Sequence, residues 1–407
     1  MVCSVKPALS LHFRTISLLF AIFFIAFSDM NGFSQIDSSR IQNDTIKEIN
    51  LDSVIISAQV APTVQSELLR VVHVIRAEEI RLAPVTDLGS LLEYVRGVDI
   101  RQRGITGAQS DISLRGGTFD QVLVLLNGIN ISDPQTGHHN MDIPVDITAI
   151  ERIEVLQGSG ARIFGPNAFA GAINIITSSP QKSVPSVSLR GGLYGTGELS
   201  ANLPFRTKKV YHIVSLSGST TDGYTENTDF KKAGAYYRMN ATIGKTKTDV
   251  QAGYINKGFG ANSFYSPKYP NQFEATSTIF ASAGLTDTNA QKWKAIVYWR
   301  RHYDRFELFR NNPPAWYKNH NYHLSDVAGA TVNRTFSWKK HKTSLGADFR
   351  MEHIYSNVLG TTMNSPIAVE GTDSAYYTKS AQRNGFSIMV EHRYAPGKFS
   401  VSGGALL

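Results

Sequence analysis

A single cysteine, Cys3, occurs in the whole chain. It lies ahead of the N-terminal apolar run, whereas a bacterial lipoprotein needs its cysteine after that run, so lipidation is not expected. Removal of the leader would leave no thiol, which excludes disulfides and thiolate metal sites. Charge is also scarce. Asp, Glu, Lys and Arg make up 18 % of the chain, against about 25 % in typical soluble proteins. The formal net charge of +8 is scattered, with no run of five like charges, so a mildly basic surface is expected and nucleic acid is not a partner. Beyond the N-terminal run no apolar stretch approaches the ~18 residues of a membrane-spanning helix. If the chain enters a membrane it must do so as a closed barrel, the other architecture that satisfies every backbone group in lipid. Catalytic signatures are missing too. There is no His-Glu-x-x-His, no Gly-x-Ser-x-Gly and no Walker lysine. Gly158-Ser159-Gly160 fails the dinucleotide fingerprint, because Ile163 stands where its third glycine belongs. No enzyme, catalytic residue or cofactor is expected.

What is present divides the chain into four parts. Residues 1–34 read as a signal peptide. Lys6, His12 and Arg14 precede the 12-residue apolar run Ile16 to Phe27, and small residues follow, with a cut after Ser34. Residues 35–59 form a polar leader. It contains the short β-branched segment Asp52-Ser53-Val54-Ile55-Ile56-Ser57-Ala58, suited either to the first strand of the next domain or to strand addition onto a partner's sheet edge.

Residues 60–180 alternate helix and strand signals and make one small α+β domain. Ala77 to Leu92 is helical in character, broken at Pro84, with Thr86 or Asp87 able to cap the second piece. Val122 to Leu126, then Asn127-Gly128, then Ile129 to Ile131 predicts a hairpin, since Asn-Gly supplies the two positive-φ residues of a type I′ turn. Ile153–Leu156 and Ala172–Thr177 are two further strands.

Residues 181–407 lose helical periodicity and become segments of about ten residues alternating in polarity, the dyad pattern of a transmembrane β-barrel. Leu345 to His353 is the clearest. Trp293, Ala295, Val297 and Trp299 repeat the pattern against Lys292, Lys294 and Arg300. A soluble sandwich would alternate in the same way with its apolar face inward. Flanking aromatics and connections of alternating length favour the barrel. Arg206–Lys209 and Lys339–Lys342 are short, whereas Asp222–Lys232, Lys257–Ala275, Asp304–Asn321 and Tyr355–Gln382 are long. About eleven strands fit this stretch. An open sheet would expose its edge to lipid, and a lumen large enough for some 120 residues needs roughly 16 strands or more. The sequence is therefore expected to be the N-terminal portion of a longer barrel.

His138-His139 is the one conspicuous pair of metal-type donors. Adjacent histidines point apart in an extended chain, and two imidazoles with no carboxylate or thiol directly beside them are a poor metal set. A solvated loop is the expectation, and no metal site.

Five ordered blocks are more specific. They are Leu91–Val98; Ile112–Gly117; Val124–Gly128; Ile150–Gly158; and Phe164–Thr177. In this order and spacing residues 51 to 178 resemble the plug of TonB-dependent outer-membrane receptors. The resemblance implies a small α+β plug followed by an antiparallel transmembrane β-barrel of 22 strands, about half of them in this chain. It makes Asp52–Ala58 the TonB box. It also implies active uptake of a scarce small-molecule ligand, with TonB and its inner-membrane energy-coupling complex as partners and outer-membrane lipid and lipopolysaccharide as surroundings. The plug's outward loops should be 101–110 and 131–144. Arg101, Gln102, Arg103, Asp133, Gln135, His138, His139 and Asn140 are candidate ligand contacts there, with Phe264, Tyr265 and Tyr269 from the barrel loops. Family members usually carry Arg at Gln157 and Pro at Ser159. The plug-to-barrel lock is thus altered on one side, and Arg115 remains as a candidate lock residue. The box, the lack of an extra N-terminal domain, Pro134–Asn140 and Thr221–Tyr224 lean towards the cobalamin-receptor branch, with siderophores and haem as rivals. A passive pore or surface adhesin is the alternative class and would need no TonB box.

Overall fold

The computed structural model describes residues 71–105, 107–158, 166–289, 292–397 and 399–407, with the backbone of Ile55–Ile56 and Thr63–Val64. The expected signal peptide and most of the TonB box lie outside the described residues. Of the box, the backbone of Ile55–Ile56 (β1) pairs antiparallel with Thr63–Val64 (β2).

The α+β part is built on a five-stranded sheet. Its strands are Val72–Arg76 (β3), Val122–Leu126 (β6), Ile129–Asn130 (β7), Ile150–Gln157 (β8) and Gly171–Thr177 (β9), in the order β3-β8-β9-β6-β7. A hairpin of Val98–Arg103 (β4) and Gln109–Leu114 (β5) stands apart from it. Two short helices, Ala77–Leu82 (α1) and Leu88–Leu92 (α2), flank Pro84 as the sequence predicts. Asp87 is the cap of α2, accepting from the Ser90 amide at 2.9 Å. The Asn-Gly turn also forms as predicted, with φ of 52° at Asn127 and 83° at Gly128.

β6 and β9 run parallel and are buried along their whole length. This explains their near-continuous apolar sequences, because both faces of the central pair are covered. Leu123, Leu125, Leu156 and Ala172 fill one side. Val122, Val124, Leu126, Ile153, Ile173 and Ile175 fill the other, together with Leu91 and Leu92 of α2.

The second part is a wall of twelve antiparallel strands, one more than the sequence count. They are Ser186–Gly191 (β10), Gly197–Thr207 (β11), Val210–Thr221 (β12), Phe230–Ile243 (β13), Thr246–Gly260 (β14), Phe273–Asp287 (β15), Trp293–Glu307 (β16), Asn321–Trp338 (β17), His341–Ser356 (β18), Thr361–Ala368 (β19), Tyr376–Tyr394 (β20) and Val401–Leu406 (β21). Neighbours in sequence pair up to β18, which pairs β20, and β20 carries both β19 and β21. Connections alternate between two-residue turns at 208–209, 244–245 and 339–340 and longer loops at 222–229, 261–272 and 308–320. The span 355–382, expected as one long loop, instead holds β19 and the start of β20, which extend the wall past β18.

The side-chain alternation settles which face is which. Val297, Val332, Leu345, Phe349, Phe386, Ile388 and Val390 are exposed. Their sequence neighbours Tyr298, Ser344 and Met389 are buried against the interior. A water-soluble sandwich would bury the first set. A broad apolar outer face with polar groups behind it is the pattern of a lipid-facing barrel wall. Among the described residues no helix is long and apolar enough to cross a membrane.

The α+β part nests against the inner face of this wall. Phe280, Tyr298 and Val327 of β15, β16 and β17 belong to the same apolar cluster as Val124, Ile153 and Ile175. At Gly253 of β14 the fit is so close that a Cβ would meet the Pro144 ring at 2.9 Å.

Candidate functional site

Polar ties between plug and wall surround this shared core. At one end Arg238 of β13 donates to the Thr177 carbonyl at 2.9 Å, and the Asn127 side-chain amide donates to Gln251 Oε1 at 2.7 Å. Further along, Arg350 of β18 reaches the carbonyls of Asn130 and Ser132 at 2.9 and 2.7 Å. These bonds use backbone oxygens left free where β7 ends, so the chain enters loop 131–144 already fastened to the wall.

The loop is then held by its own polar residues. Asp133 Oδ1 accepts from the Gln135 amide at 2.8 Å, and Asn140 Oδ1 accepts from the Asp133 amide at 2.9 Å. Thr136 caps the 3-10 turn Gly137–His139. Gly137 lies against Phe119 and Asp120 with no room for a Cβ, and its amide donates to Asp120 Oδ1 at 3.1 Å.

Ion pairs follow between loop and wall. Arg300 of β16 meets Asp133 at 2.6 Å, with both side chains at 3 % exposure or less. Lys257 of β14 meets Asp142 at 2.5 Å and also donates to the Ala108 carbonyl at 2.6 Å. His139 sits between two carboxylates, with Nδ1 3.6 Å from Asp142 and Nε2 3.5 Å from Asp304 of β16. Burial alone would raise the carboxyl pKa of Asp133, but Arg300, with His302 and His139 nearby, outweighs it and holds the group well below the usual range. Asp142 is lowered in the same way, by Lys257 and then His139 against the effect of burial. For His139 burial favours the neutral ring, yet Asp304 and Asp142 prevail and raise its pKa well above the ordinary value. His138 points the other way, to Asp111 at 2.6 Å, where its ring lies 4.4 Å from that of Phe119. Asp111 also accepts from Arg103 at 2.8 Å. Burial raises the Asp111 pKa, and His138 and Arg103 more than reverse this.

Above these pairs opens a cavity of roughly 420 Å³. Its plug side is Gln135, Thr136, His138 and His139. The wall and the 261–272 loop contribute Tyr265, Tyr269, Glu274, Asp304, Phe306 and His323. Tyr265 donates to Glu274 at 3.0 Å and meets Phe306 edge-on at 5.5 Å. Tyr269 starts a series of edge-to-face rings through Phe309, Trp316 and Tyr317, a stiff aromatic rim.

Five of the candidate contacts thus line one cavity: Gln135, His138, His139, Tyr265 and Tyr269. Asp133 and Asn140 lie behind it and shape the loop. Arg103 is joined to Asp111 and lies over the Tyr265 ring at 5.6 Å. Phe264 stacks on Phe259. Gln102 turns to Asp87 and Ser90 at the cap of α2, and Arg101 is exposed on β4. Arg115 is exposed at φ 51°, and among the described residues it makes no ion pair. The expectation of a solvated His138-His139 loop is corrected. His139 is 5 % exposed, and its carboxylates come from residue 142 and, across the wall, residue 304.

Sequence reasoning missed Glu274, Asp304, His323, Lys257 and Arg300. A signal for two of them, Arg300 and Asp304, existed. Once Trp293 to Trp299 is placed outward, alternation sends Arg300, His302 and Asp304 inward.

A family model described as TonB-dependent Receptor Plug Domain matches residues 64–172. The chain is 29 % identical over 238 residues to "Vitamin B12 transporter BtuB" of Vibrio vulnificus (strain CMCP6), covering 58 % of this chain and 36 % of that one. It is 32 % identical over 150 residues to the protein of that name from Vibrio cholerae (strain M66-2), covering 37 % and 24 %. Among solved structures it resembles the unliganded ferric citrate transporter FecA, with a TM-score of 0.65 at 15 % identity, covering 84 % of this chain and 56 % of that one. It also resembles the copper transporter OprC, with a TM-score of 0.63 at 16 % identity, covering 82 % and 54 %. The chain therefore spans little more than a third of the first curated relative and about half of these structures. The relatives are transporters, and none is an enzyme by name.

Proposed function

We propose that this chain, which belongs to the TonB-dependent receptors, serves an outer-membrane receptor that captures a corrinoid of the cobalamin type and imports it at the expense of the inner-membrane proton gradient. One observation carries the uptake reading. The cavity is lined jointly by the plug's loop 131–144 and by the wall with its 261–272 loop. A ligand seated there touches the gate and the frame at once, so its binding energy acts on the contact that must loosen for passage. The loop is fastened by charge pairs rather than by apolar packing alone. Such a contact has defined partners and can exist in two discrete arrangements.

The corrinoid assignment is supported by the curated relatives, both called vitamin B12 transporters, and by the Pro134–Asn140 and Thr221–Tyr224 segments. Asp52–Ala58 is proposed as the TonB box, and export by a signal peptide at residues 1–34 is part of the same reading. Residues 60–180 act as the plug and 181–407 as barrel wall. Arg115 is retained as a lock residue whose partner lies outside the contacts described above.

The test is deletion of residues 52–58. Uptake of labelled cyanocobalamin should fall to background, while binding to outer membranes persists. Unchanged uptake in a well-expressed deletion would turn the reading to a passive pore. Binding of an iron chelate in preference to the corrinoid would move the substrate to the siderophore class.

A further inference from the structure

The floor of the cavity gathers buried acidic and imidazole groups that its hydrogen bonds do not fully satisfy. Glu274 and Asp304 are 3 % and 7 % exposed, and they come together with one nitrogen of His139 so that the three ligand atoms lie within 4.8 Å of one another. Asp304 Oδ2 accepts from Gln135 at 3.3 Å, but Asp304 Oδ1 is buried with no hydrogen-bond partner. His323 is the direct cross-strand neighbour of Asp304, faces the same cavity, and its Nδ1 is likewise buried without a partner. Two carboxyl groups this close resist dehydration together, and the buried Asp304 Oδ1 and His323 Nδ1 are acceptor-capable atoms that no hydrogen bond satisfies.

We propose that His139, Glu274 and Asp304 form a binding site for a divalent first-row transition-metal ion, with His323 as the fourth donor. The donor set is imidazole and carboxylate, which suits zinc and its neighbours. Calcium and magnesium prefer oxygen alone, and imidazoles in the set select against them. Metal–ligand distances of about 2.0–2.2 Å require the three donors to draw in by under ~1 Å, a shift that side-chain torsions of His139 and Glu274 can supply without moving the pinned loop. The alternative trio of His139, Asp142 and His302 is disfavoured, because Lys257 already stands 2.5 Å from Asp142 and would repel a second cation. The chosen site takes one donor from the plug and three from the wall, so an ion there would join the two. It also faces the cavity, which leaves coordination positions for water or for a donor atom of the cargo. This site is independent of the uptake reading, because metal affinity needs neither TonB nor a proton gradient.

The experiment uses the receptor extracted from outer membranes in detergent, stripped with chelator and titrated with zinc chloride by calorimetry. Cobalt(II) absorption provides a second readout of nitrogen and oxygen ligation. One ion per chain is expected. Glu274→Gln and Asp304→Asn keep side-chain volume and should each weaken zinc binding at least about tenfold, as changes around metal ligands commonly do. His139→Gln should do the same. His320→Gln, outside the site, should leave affinity unchanged. Heat-modifiable gel migration reports folding of each variant. No saturable zinc binding by the folded wild type would overturn the proposal, as would folded Glu274→Gln and Asp304→Asn proteins that bind as tightly as wild type.

Discussion

Replacing Asp133 by Asn removes one charge from the tightest plug-to-wall pair and leaves its shape intact. Arg300 and Asp133 are 3 % and 0 % exposed and 2.6 Å apart, so solvent screens the pair little. Asn at 133 can still accept from the Gln135 amide, but its NH2 then takes the place of the oxygen that Arg300 meets, so that contact becomes donor against donor. What is lost is the counter-charge of a buried guanidinium, whose Nη2 already lacks a partner. Removing one member of a buried pair costs about 3–5 kcal/mol. Even the lower bound of about 3 kcal/mol is on the order of a hundredfold in an opening equilibrium at 1.4 kcal/mol per decade. The loss should be local, because the apolar core shared by plug and wall is untouched. Amide hydrogen exchange of residues 131–145 in the detergent-solubilised receptor reads it directly. Exchange there should accelerate by about that factor, while β6 and β9 stay protected. The double variant Asp133→Asn with Arg300→Met should recover most of the loss, since it removes the stranded charge. Exchange at the wild-type rate in the single variant, or a double variant as unstable as the single, would refute the idea that this pair pins the loop.

Two further outcomes follow from the same geometry. Val297, 58 % exposed on the outer face of β16, should tolerate Leu, whereas Val297→Arg should destabilise the barrel by about 2–4 kcal/mol if it sits near the bilayer midplane. Urea titration of folding into lipid vesicles measures this, and equal stability of the two variants would argue against a lipid-facing surface. Gly137→Ala places a methyl against Phe119 and Asp120. Overpacking of this kind costs about 1–3 kcal/mol and displaces Gln135 and His138 from the cavity. Ligand affinity should drop tenfold or more with the plug still folded, and unaltered affinity would show that the loop's path does not shape the site.

The fold was legible wherever a single local rule decided the outcome. Asn127-Gly128 turns as it does because two positive φ values are needed in succession. Pro84 divides α1 from α2 because it can neither donate to nor fit within a helix interior. The wall's faces needed one step more. Alternation of Leu345, Phe349 and Met351 with Ser344 and Glu352 fixes two faces but not which is wet, and exposure of the apolar set supplies the answer. The stretch from 355 to 382 was misjudged for a physical reason. Thr361–Ala368 carries neither strong alternation nor apolar bulk, and it becomes a strand by pairing with the projecting part of β20.

The site was legible only on its plug side, and the cause lies in how its charges are paired. His139 gained no weight in sequence because no carboxylate stands beside it except Asp142, three residues on. Its other partner is Asp304, 165 positions away, and the two meet because β16 turns every second side chain inward and the plug fills the space behind. Lys257 with Asp142, Arg300 with Asp133 and Arg350 with the 130 and 132 carbonyls have the same character. Each joins a wall residue to the one stretch of plug that links the end of β7 to Ile147. A loop held at so many points by partners spread over β14, β16 and β18 cannot move without several charges losing their counter-charges together. A ligand that supplies new partners to His139, Asp304 and Gln135 changes that balance where it is most concentrated. The cavity floor is therefore the place where binding outside could be felt by the plug as a whole, and substitutions there should separate ligand affinity from passage more cleanly than substitutions in the aromatic rim.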